Sequence, residues 1–396
     1  MWPMRGRELG LYAVVVGFLQ FGCAAPTRTQ AVTPPPYASI SAEVEGYAGP
    51  GRSPENDLTG QVVRIGLLAP LQGARKAEGD AMVAAAHMAL RDASSHGLIH
   101  GHRIALALED SSVPPWGMLS DAVIRLMLDD EAVAVITSTS GADTHLCEQV
   151  GNRIGVPVLT LSSDPTTTQI DIPWIFRVGP SGAQQAQWIA KDIYSVRKLR
   201  NVLLITQQDH EGNLAVQSLK QAATALGART PNVIALDESP PDLEPIMKKI
   251  ENDPPQAIVI WTNSSTAALF LHALRIAGLK TLCYLSQDAS SELRDVPTSE
   301  FIAGEAWTTA KDDEPANRRS FTARFRQSTG VAPSLVASET YDAVILTVHA
   351  LQAAGPNRAR IRDELAAATH YDGVSGKIVF DREGNDRATL HLVQLK

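Results

Sequence analysis

Ala132-Val133-Ala134-Val135-Ile136 runs into Ser138-Thr139-Ser140-Gly141, and Val156-Pro157-Val158-Leu159-Thr160-Leu161 runs into Ser162-Ser163-Asp164. Each is an apolar, β-branched strand that ends in hydroxyl groups. Open sheets of alternating strand and helix bind small molecules beyond the carboxyl ends of their strands. Two hydroxyl-rich strand ends without a phosphate loop therefore predict a binder of small polar solutes.

Working outward, the pattern repeats on both sides. Val62–Leu68 reads as a buried strand, followed by a helix with Met82, Val83, Ala86, Ala89, Leu90 and Ala93 on one stripe. Strand Arg103–Leu108, helix Leu119–Leu128 and helix Thr144–Ile154 complete the first run, which closes at Ile175-Phe176-Arg177-Val178. The plan then restarts with helices Ala183–Ser195, Leu214–Leu226, Leu243–Ile250 and Thr266–Ala277 between strands Val202–Ile205, Val233–Leu236, Ala257–Trp261 and Leu282–Leu285. Such alternation means right-handed crossovers and parallel sheets, so the fold class is α/β with two doubly wound parallel-sheet lobes. The C-terminal part loses this rhythm: helices Ser338–Ala354 and Ile361–Ala368 precede a predicted hairpin of Lys377–Phe380 with Thr389–Leu395, turned at Asp381–Asn385. Helices after the second sheet need a surface to cover, and the first sheet offers one. The chain would thus cross between lobes three times.

At 396 residues, 44% apolar and 20% charged, the chain can bury a large core, and a net charge of −8 excludes the basic face of a nucleic-acid binder. Arg5 and Arg7 precede the apolar run Leu9–Phe21, too short to span a bilayer comfortably, which predicts an export signal over 1–23. It ends in Gly22-Cys23-Ala24-Ala25, which resembles the bacterial lipobox, although Gln20 stands where that pattern usually has Leu. Cys23 is the candidate lipidation site, and an ordinary cleaved signal with an incidental Cys is the alternative. Residues 24–60, with Pro34-Pro35-Pro36 and Gly49-Pro50-Gly51, read as a disordered tether. The expected localisation is periplasmic or cell-envelope, with membrane contact through lipid only. Cys147 and Cys283 fall in different lobes and are expected as buried free thiols.

With that order of elements, the chain resembles the periplasmic branched-chain amino-acid binding proteins, the type I solute-binding proteins of ABC importers. The resemblance covers Val62 to Lys396 and rests on Val63-Arg64-Ile65-Gly66-Leu67-Leu68-Ala69-Pro70-Leu71, Gly79-Asp80, Gly155-Val156-Pro157-Val158-Leu159-Thr160 and Phe176-Arg177-Val178. Its most specific pieces are Thr340-Tyr341-Asp342-Ala343-Val344 and Gly373-Val374-Ser375-Gly376-Lys377-Ile378-Val379-Phe380-Asp381. The resemblance implies two lobes joined by three connections with a ligand held between them: a first lobe of 61–182 plus 310–368, and a second of 183–309 plus 369–396. It also implies an ABC permease as partner, a monomer, no cofactor, and no catalysis.

By the same resemblance, the loop after the third strand gives a hydroxyl to a ligand carboxylate, which points to Ser140, Gly141 and Thr144. The loop after the fourth strand supplies Ser162, Ser163 and Asp164, with two registers open. One sets Asp164 at the ligand and suits a cationic or amine solute; the other sets Ser163 there and leaves Asp164-Pro165 as a turn. From the second lobe, Gln287 falls where amino-acid binders keep a Glu for the α-ammonium, with Asp288 beside it. His210 and Asn263 fall near positions where relatives present aromatic residues.

Other chemistry is weak. No Gly-x-Gly-x-x-Gly follows a strand, and neither a Walker loop nor a Gly-x-Ser-x-Gly elbow occurs. His96, His100 and His102 lack partners at metal-ligand spacing, and the turn at 381–386 has Gly384 in the wrong place for calcium. Two functions remain: a lipid-anchored solute-binding protein for an ABC importer, or a lipoprotein of the same fold acting as an interaction or sensor module, such as a cell-wall synthase activator.

Overall fold

Five parallel strands form the first sheet: β1 (Val62–Ala69), β2 (Arg103–Asp110), β3 (Val135–Thr137), β4 (Val158–Thr160) and β5 (Ile175–Arg177), in the order β2-β1-β3-β4-β5. The structure is a computed structural model and describes residues 49–95, 97–113, 117–168, 172–237, 241–290, 301–304, 315–368, 370–387 and 391–394. The predicted export signal, Cys23, most of the predicted tether and His96 lie outside the described residues. β1 is apolar at almost every position because helices cover both faces of its sheet. On one side lies α1 (Lys76–Ser94), and on the other α2 (Met118–Ile124) and α3 (Gly141–Ile154). Ser140 caps α3 by accepting from Asp143 N at 3.2 Å, and Gly155 ends it in a left-handed conformation at φ +72°.

The chain leaves the first sheet after β5 and enters α4 (Gly182–Ala190), whose start is closed by a reciprocal cap between Ser181 and Gln184. The second sheet is built from β6 (Val202–Gln207), β7 (Asn232–Leu236), β8 (Ala257–Trp261), β9 (Leu282–Leu285) and β10 (Phe301–Gly304), all parallel. Helices α5 (His210–Ala225), α6 (Glu244–Asn252), α7 (Ser264–Ile276) and the single turn α8 (Gln287–Ser290) connect them. The chain then returns to the first lobe, where α9 (Ala316–Thr329), α10 (Leu335–Ala354) and α11 (Arg358–Ala366) pack with α1. Alanines at 85, 86, 89 and 93 let α10 approach α1 closely, so Phe321, Phe325, Val344 and Leu351 share one core with β1. Cys147 and Cys283 are buried free thiols in separate cores.

The C-terminal part departs from expectation in pairing. A short ladder joins β11 (Tyr371–Asp372) to β12 (Lys377–Ile378), and β13 (His391–Gln394) pairs antiparallel with β10 at the edge of the second sheet, giving β13-β10-β9-β8-β6-β7. Among the described residues, 391–394 thus pair with β10 and not with 377–380 as expected; the turn itself is closed by the bridge Phe380 to Asp386 and by Asp381 N to Asn385 O and Arg387 N to Val379 O, each at 2.8 Å. Val374, Ile378 and Phe380 belong to the first lobe's core, and Phe380 packs tilted against Phe176 with ring centroids 5.3 Å apart. The third crossing thus comes after Asp386, later than the expected boundary at 369. The last part of the expected tether is also ordered. Arg52 pairs with Asp363 at 2.6 Å, Arg360 with Asp57 at 2.8 Å, and Asn357 donates to Gly51 O, which straps Gly49 to Leu58 onto α11.

The two most specific sequence motifs meet in space. Asp342, fully buried on α10, accepts from Val374 N at 2.9 Å, Ser375 N at 2.7 Å and Ser375 Oγ at 2.5 Å. Gly373 permits this approach, since a Cβ there would lie 2.3 Å from Asp342 Oδ2. Burial raises the Asp342 carboxyl to about 6 against the lowering by Ser375, Val374 and Tyr371. Asp342→Ala leaves these donors unanswered, and a loss of about 2–3 kcal/mol is expected in urea unfolding; an unchanged midpoint would refute the linkage.

Candidate functional site

Between the two sheets lies a cleft of about 1120 Å³, and both lobes wall it from the carboxyl ends of their strands. Arg75 and Glu78 follow β1, Thr139 follows β3, and Ser163 and Asp164 follow β4. From the second lobe come Asp209 and Glu211 after β6, Trp261 to Thr266 at the end of β8, and Asp288 after β9. Strand order reverses between β1 and β3 in one sheet and between β6 and β8 in the other, where loops diverge and open a crevice.

The first lobe's wall is a braced ion pair. Arg75 forks onto Glu78, Nε to Oε2 at 2.9 Å and Nη2 to Oε1 at 2.8 Å, and Nη2 also donates to Thr139 Oγ1 at 2.9 Å. Thr139 returns the contact by donating its N and Oγ1 to Glu78 Oε1. Beside it, Asp164 caps the turn Pro165–Thr167 by accepting from Thr166 N at 2.8 Å, so the turn register of Asp164-Pro165 is the one adopted. Its other oxygen reaches His210 Nε2 in the second lobe at 3.1 Å.

Behind this loop sits Arg177, completely buried. It donates to the carbonyls of Ser162 and Asp164, to Thr167 Oγ1 at 2.9 Å and to Thr168 Oγ1 at 3.0 Å. Burial pulls its guanidinium down to about 10, while Asp164, Asp381 and Glu148 oppose the fall, so it stays charged at neutral pH.

The second lobe's wall is acidic. Burial lifts Glu211 to about 7, with Asp288 and Asp209 adding to the rise, and burial lifts Asp288 to about 6, with Glu78 adding to it. The Ser163 hydroxyl donates to Asp288 across the lobes. Asn263 caps α7 through Thr266 N at 2.9 Å and exposes its amide to the cleft.

Of the residues chosen from sequence, Ser163, Asp164, Asn263 and Asp288 line the cleft. His210 reaches across to Asp164 instead of covering a solute. Thr144 turns inward: fully buried, it bonds Thr137 Oγ1 at 2.9 Å and Thr160 Oγ1 at 2.8 Å, a hydroxyl ladder tying α3 to β3 and β4. Ser140 is spent on its cap, and Gly141 is where α3 passes the Asp164 carboxylate, since a Cβ would lie 2.3 Å from Oδ2. Ser162, buried, accepts from Asp164 N. Gln287 is locked between Gln185 and Glu339 Oε1, the latter at 2.6 Å, and lines a neighbouring space of about 10 Å³, room for roughly one water.

Arg75, Glu78, Asp209 and Glu211 were not chosen from sequence, and Thr139 was read only as part of the hydroxyl-rich end of β3. The signal for them was the strand-end rule itself, applied to β1 and β6 as well as to β3 and β4.

The sequence profile of the periplasmic binding protein family matches residues 62–395. No curated protein sequence matches the chain. Among solved structures, the chain is similar to the branched-chain amino acid transporter substrate binding protein LivJ from Streptococcus pneumoniae in complex with isoleucine, with a TM-score of 0.71 and 18% identity over 84% of this chain and 95% of that one. It is similar to a solute binding protein from R. palustris in complex with benzoate, with a TM-score of 0.72 and 17% identity over 85% and 93%. An ABC transporter substrate-binding protein from Sphaerobacter thermophilus gives 0.73 and 18% over 84% and 92%. At such identities the likeness concerns the fold: two α/β lobes, three connections and a cleft between. Profile and architecture together make the chain a member of the periplasmic binding protein family, a family of binding proteins and not of enzymes.

Proposed function

We propose that the protein is an exported solute-binding component that takes a small polar compound, an amino acid or a molecule of similar size, between its lobes and presents it to an ABC importer. The observation that carries this is the cleft of about 1120 Å³ with polar groups of both lobes facing it, ample for a small organic solute. A solute that touches both walls binds the closed arrangement better than the open one, and only that difference can shift the equilibrium between them. Closure then tells a membrane partner that the site is filled. The structural relatives bound to isoleucine and to benzoate support the size class of the guest.

The export signal and Cys23 extend this reading to a lipid-anchored protein in the cell envelope, with Gly49 to Leu58 strapped to the first lobe and the tether running from Cys23 to that strap. Thermal unfolding in the presence of amino acids, amides, amines and small carboxylates tests capture: a solute at a hundred times its Kd should add about 2.7 kcal/mol. A flat response across all four classes would sink it and favour the interaction role. Cys23→Ser should release the protein from the membrane fraction; retention there would remove Cys23 as the anchor.

A further inference from the structure

The cleft's charges are unbalanced. Glu78, Asp80, Asp164, Asp209, Glu211 and Asp288 line it, and Arg75 is the one Lys or Arg in the lining among the described residues. Most of these carboxylates are already answered: Glu78 by Arg75, Asp80 by Lys76 at 2.6 Å, Asp164 by Thr166 and His210, Asp209 by Gly212 N at 2.7 Å, and Asp288 by Ser163. Glu211 alone has no hydrogen bond or ion pair among the described residues. It stands in the first turn of α5 and feels Asp288, Asp209 and Asp164, with Arg75 as the opposing charge across the cleft. That guanidinium is committed to Glu78 and Thr139.

Resting on the solute-capture reading, we propose that the guest is an organic cation, an alkylammonium or guanidinium compound, whose charged end sits between Glu211 and Asp288. Closing the lobes carries second-lobe carboxylates toward Glu78 and Asp164, so without a cation closure concentrates like charge in a partly dry space. A cation between them converts that repulsion into attraction, and the gain exists only in the closed arrangement. A carboxylic acid would meet the same wall with the wrong sign, because the one guanidinium facing it is already forked. Trp261, Leu269 and Val336 in the lining give a carbon chain apolar surface to lie on.

The test uses the purified protein at low ionic strength and pH 8, with putrescine and agmatine as cations and leucine and benzoate as contrasts, followed by calorimetry and thermal unfolding. A cation should bind while leucine and benzoate do not, and Glu211→Gln should weaken the cation about tenfold or more, the loss of a charge-assisted contact. Glu211→Asp should recover part of the affinity. Because Glu211 opens onto the cleft from the first turn of α5 and holds no hydrogen bond among the described residues, the Gln variant keeps the fold, and an unchanged or higher apo unfolding midpoint verifies that. Binding of leucine or benzoate unaffected by Glu211→Gln would overturn this inference and leave solute capture standing. No response to any of the four would overturn this inference, and the wider panel of amino acids, amides, amines and carboxylates then decides the capture reading separately.

Discussion

Replacing Arg177 with methionine is expected to cost about 3–5 kcal/mol of folding free energy, read as a lowered urea midpoint with an unchanged slope. Methionine fills most of the volume and has no donors. The buried Ser162 carbonyl would then lose its donor, at about 1–3 kcal/mol, while the Asp164 carbonyl keeps Thr167 Oγ1 and the Thr168 hydroxyl keeps Asn385, each losing one of its contacts. The acidic groups around it compound the effect: Asp164, Asp381 and Glu148 would lose the charge that offsets them. The effect does not stop at stability, because the loop that Arg177 holds carries Ser163 and Asp164 into the cleft. Solute affinity should fall in the same variant. Arg177→Lys restores the charge but not the planar fork, so it should recover only part of the loss. A penalty below about 1 kcal/mol would mean that the Asp164 cap over Thr166 holds the loop unaided.

Which parts of this molecule were legible in the sequence follows from whether the deciding contact is local. β8 and β9 are adopted over the residues read for them, because Ala257–Trp261 and Leu282–Leu285 are apolar runs bounded by turn residues. The C-terminal hairpin was misread for the opposite reason: alternation and a turn suggested pairing between neighbours, whereas β13 found β10, and a local pattern cannot weigh a remote edge. The strap at Gly49 to Leu58 looked loose by composition, and its order comes from Asp363 and Arg360, residues that lie 311 and 303 positions away from their partners. In the site, the strand-end rule found Ser163 and Asp164, and the family resemblance added Asn263 and Asp288. The resemblance failed at Thr144, since spacing along a helix does not say whether a hydroxyl faces solvent or its own sheet. Glu211 was hidden because apolar periodicity begins only at Leu214, while capping by Asp209 starts α5 at His210.

The same acidic wall makes the empty protein respond to pH in an unusual direction. An ordinary carboxyl titrates near 4, but burial first, and then neighbouring carboxylates, hold Glu211 at about 7 and Asp288 at about 6 in the folded state. Between those limits the folded chain binds more protons than the unfolded one, so the stability these two groups contribute falls as pH rises from about 4.5 to 7. Asp57, Asp92 and Asp110 have the opposite sign: their carboxyls are held below the usual range, and their contribution is lost only as pH falls below about 4. His145, raised by Glu148, loses its contribution as pH climbs through its own titration, and it must be subtracted. The comparison that isolates the wall is therefore wild type against a Glu211→Gln, Asp288→Asn double variant, in which Asp209, Asp164, Glu78, Arg75 and His210 are all retained around the altered pair. The variant should match wild type near pH 5 and unfold at a higher temperature at pH 8. With putrescine present the order should reverse at pH 8, because a cation and a proton compete for the same oxygens and affinity drops about tenfold per pH unit once a required carboxylate is below its pKa. Parallel pH profiles for the two proteins from 5 to 8 would show that the carboxylates feel neither burial nor each other, and the charge argument for the cleft would go with them.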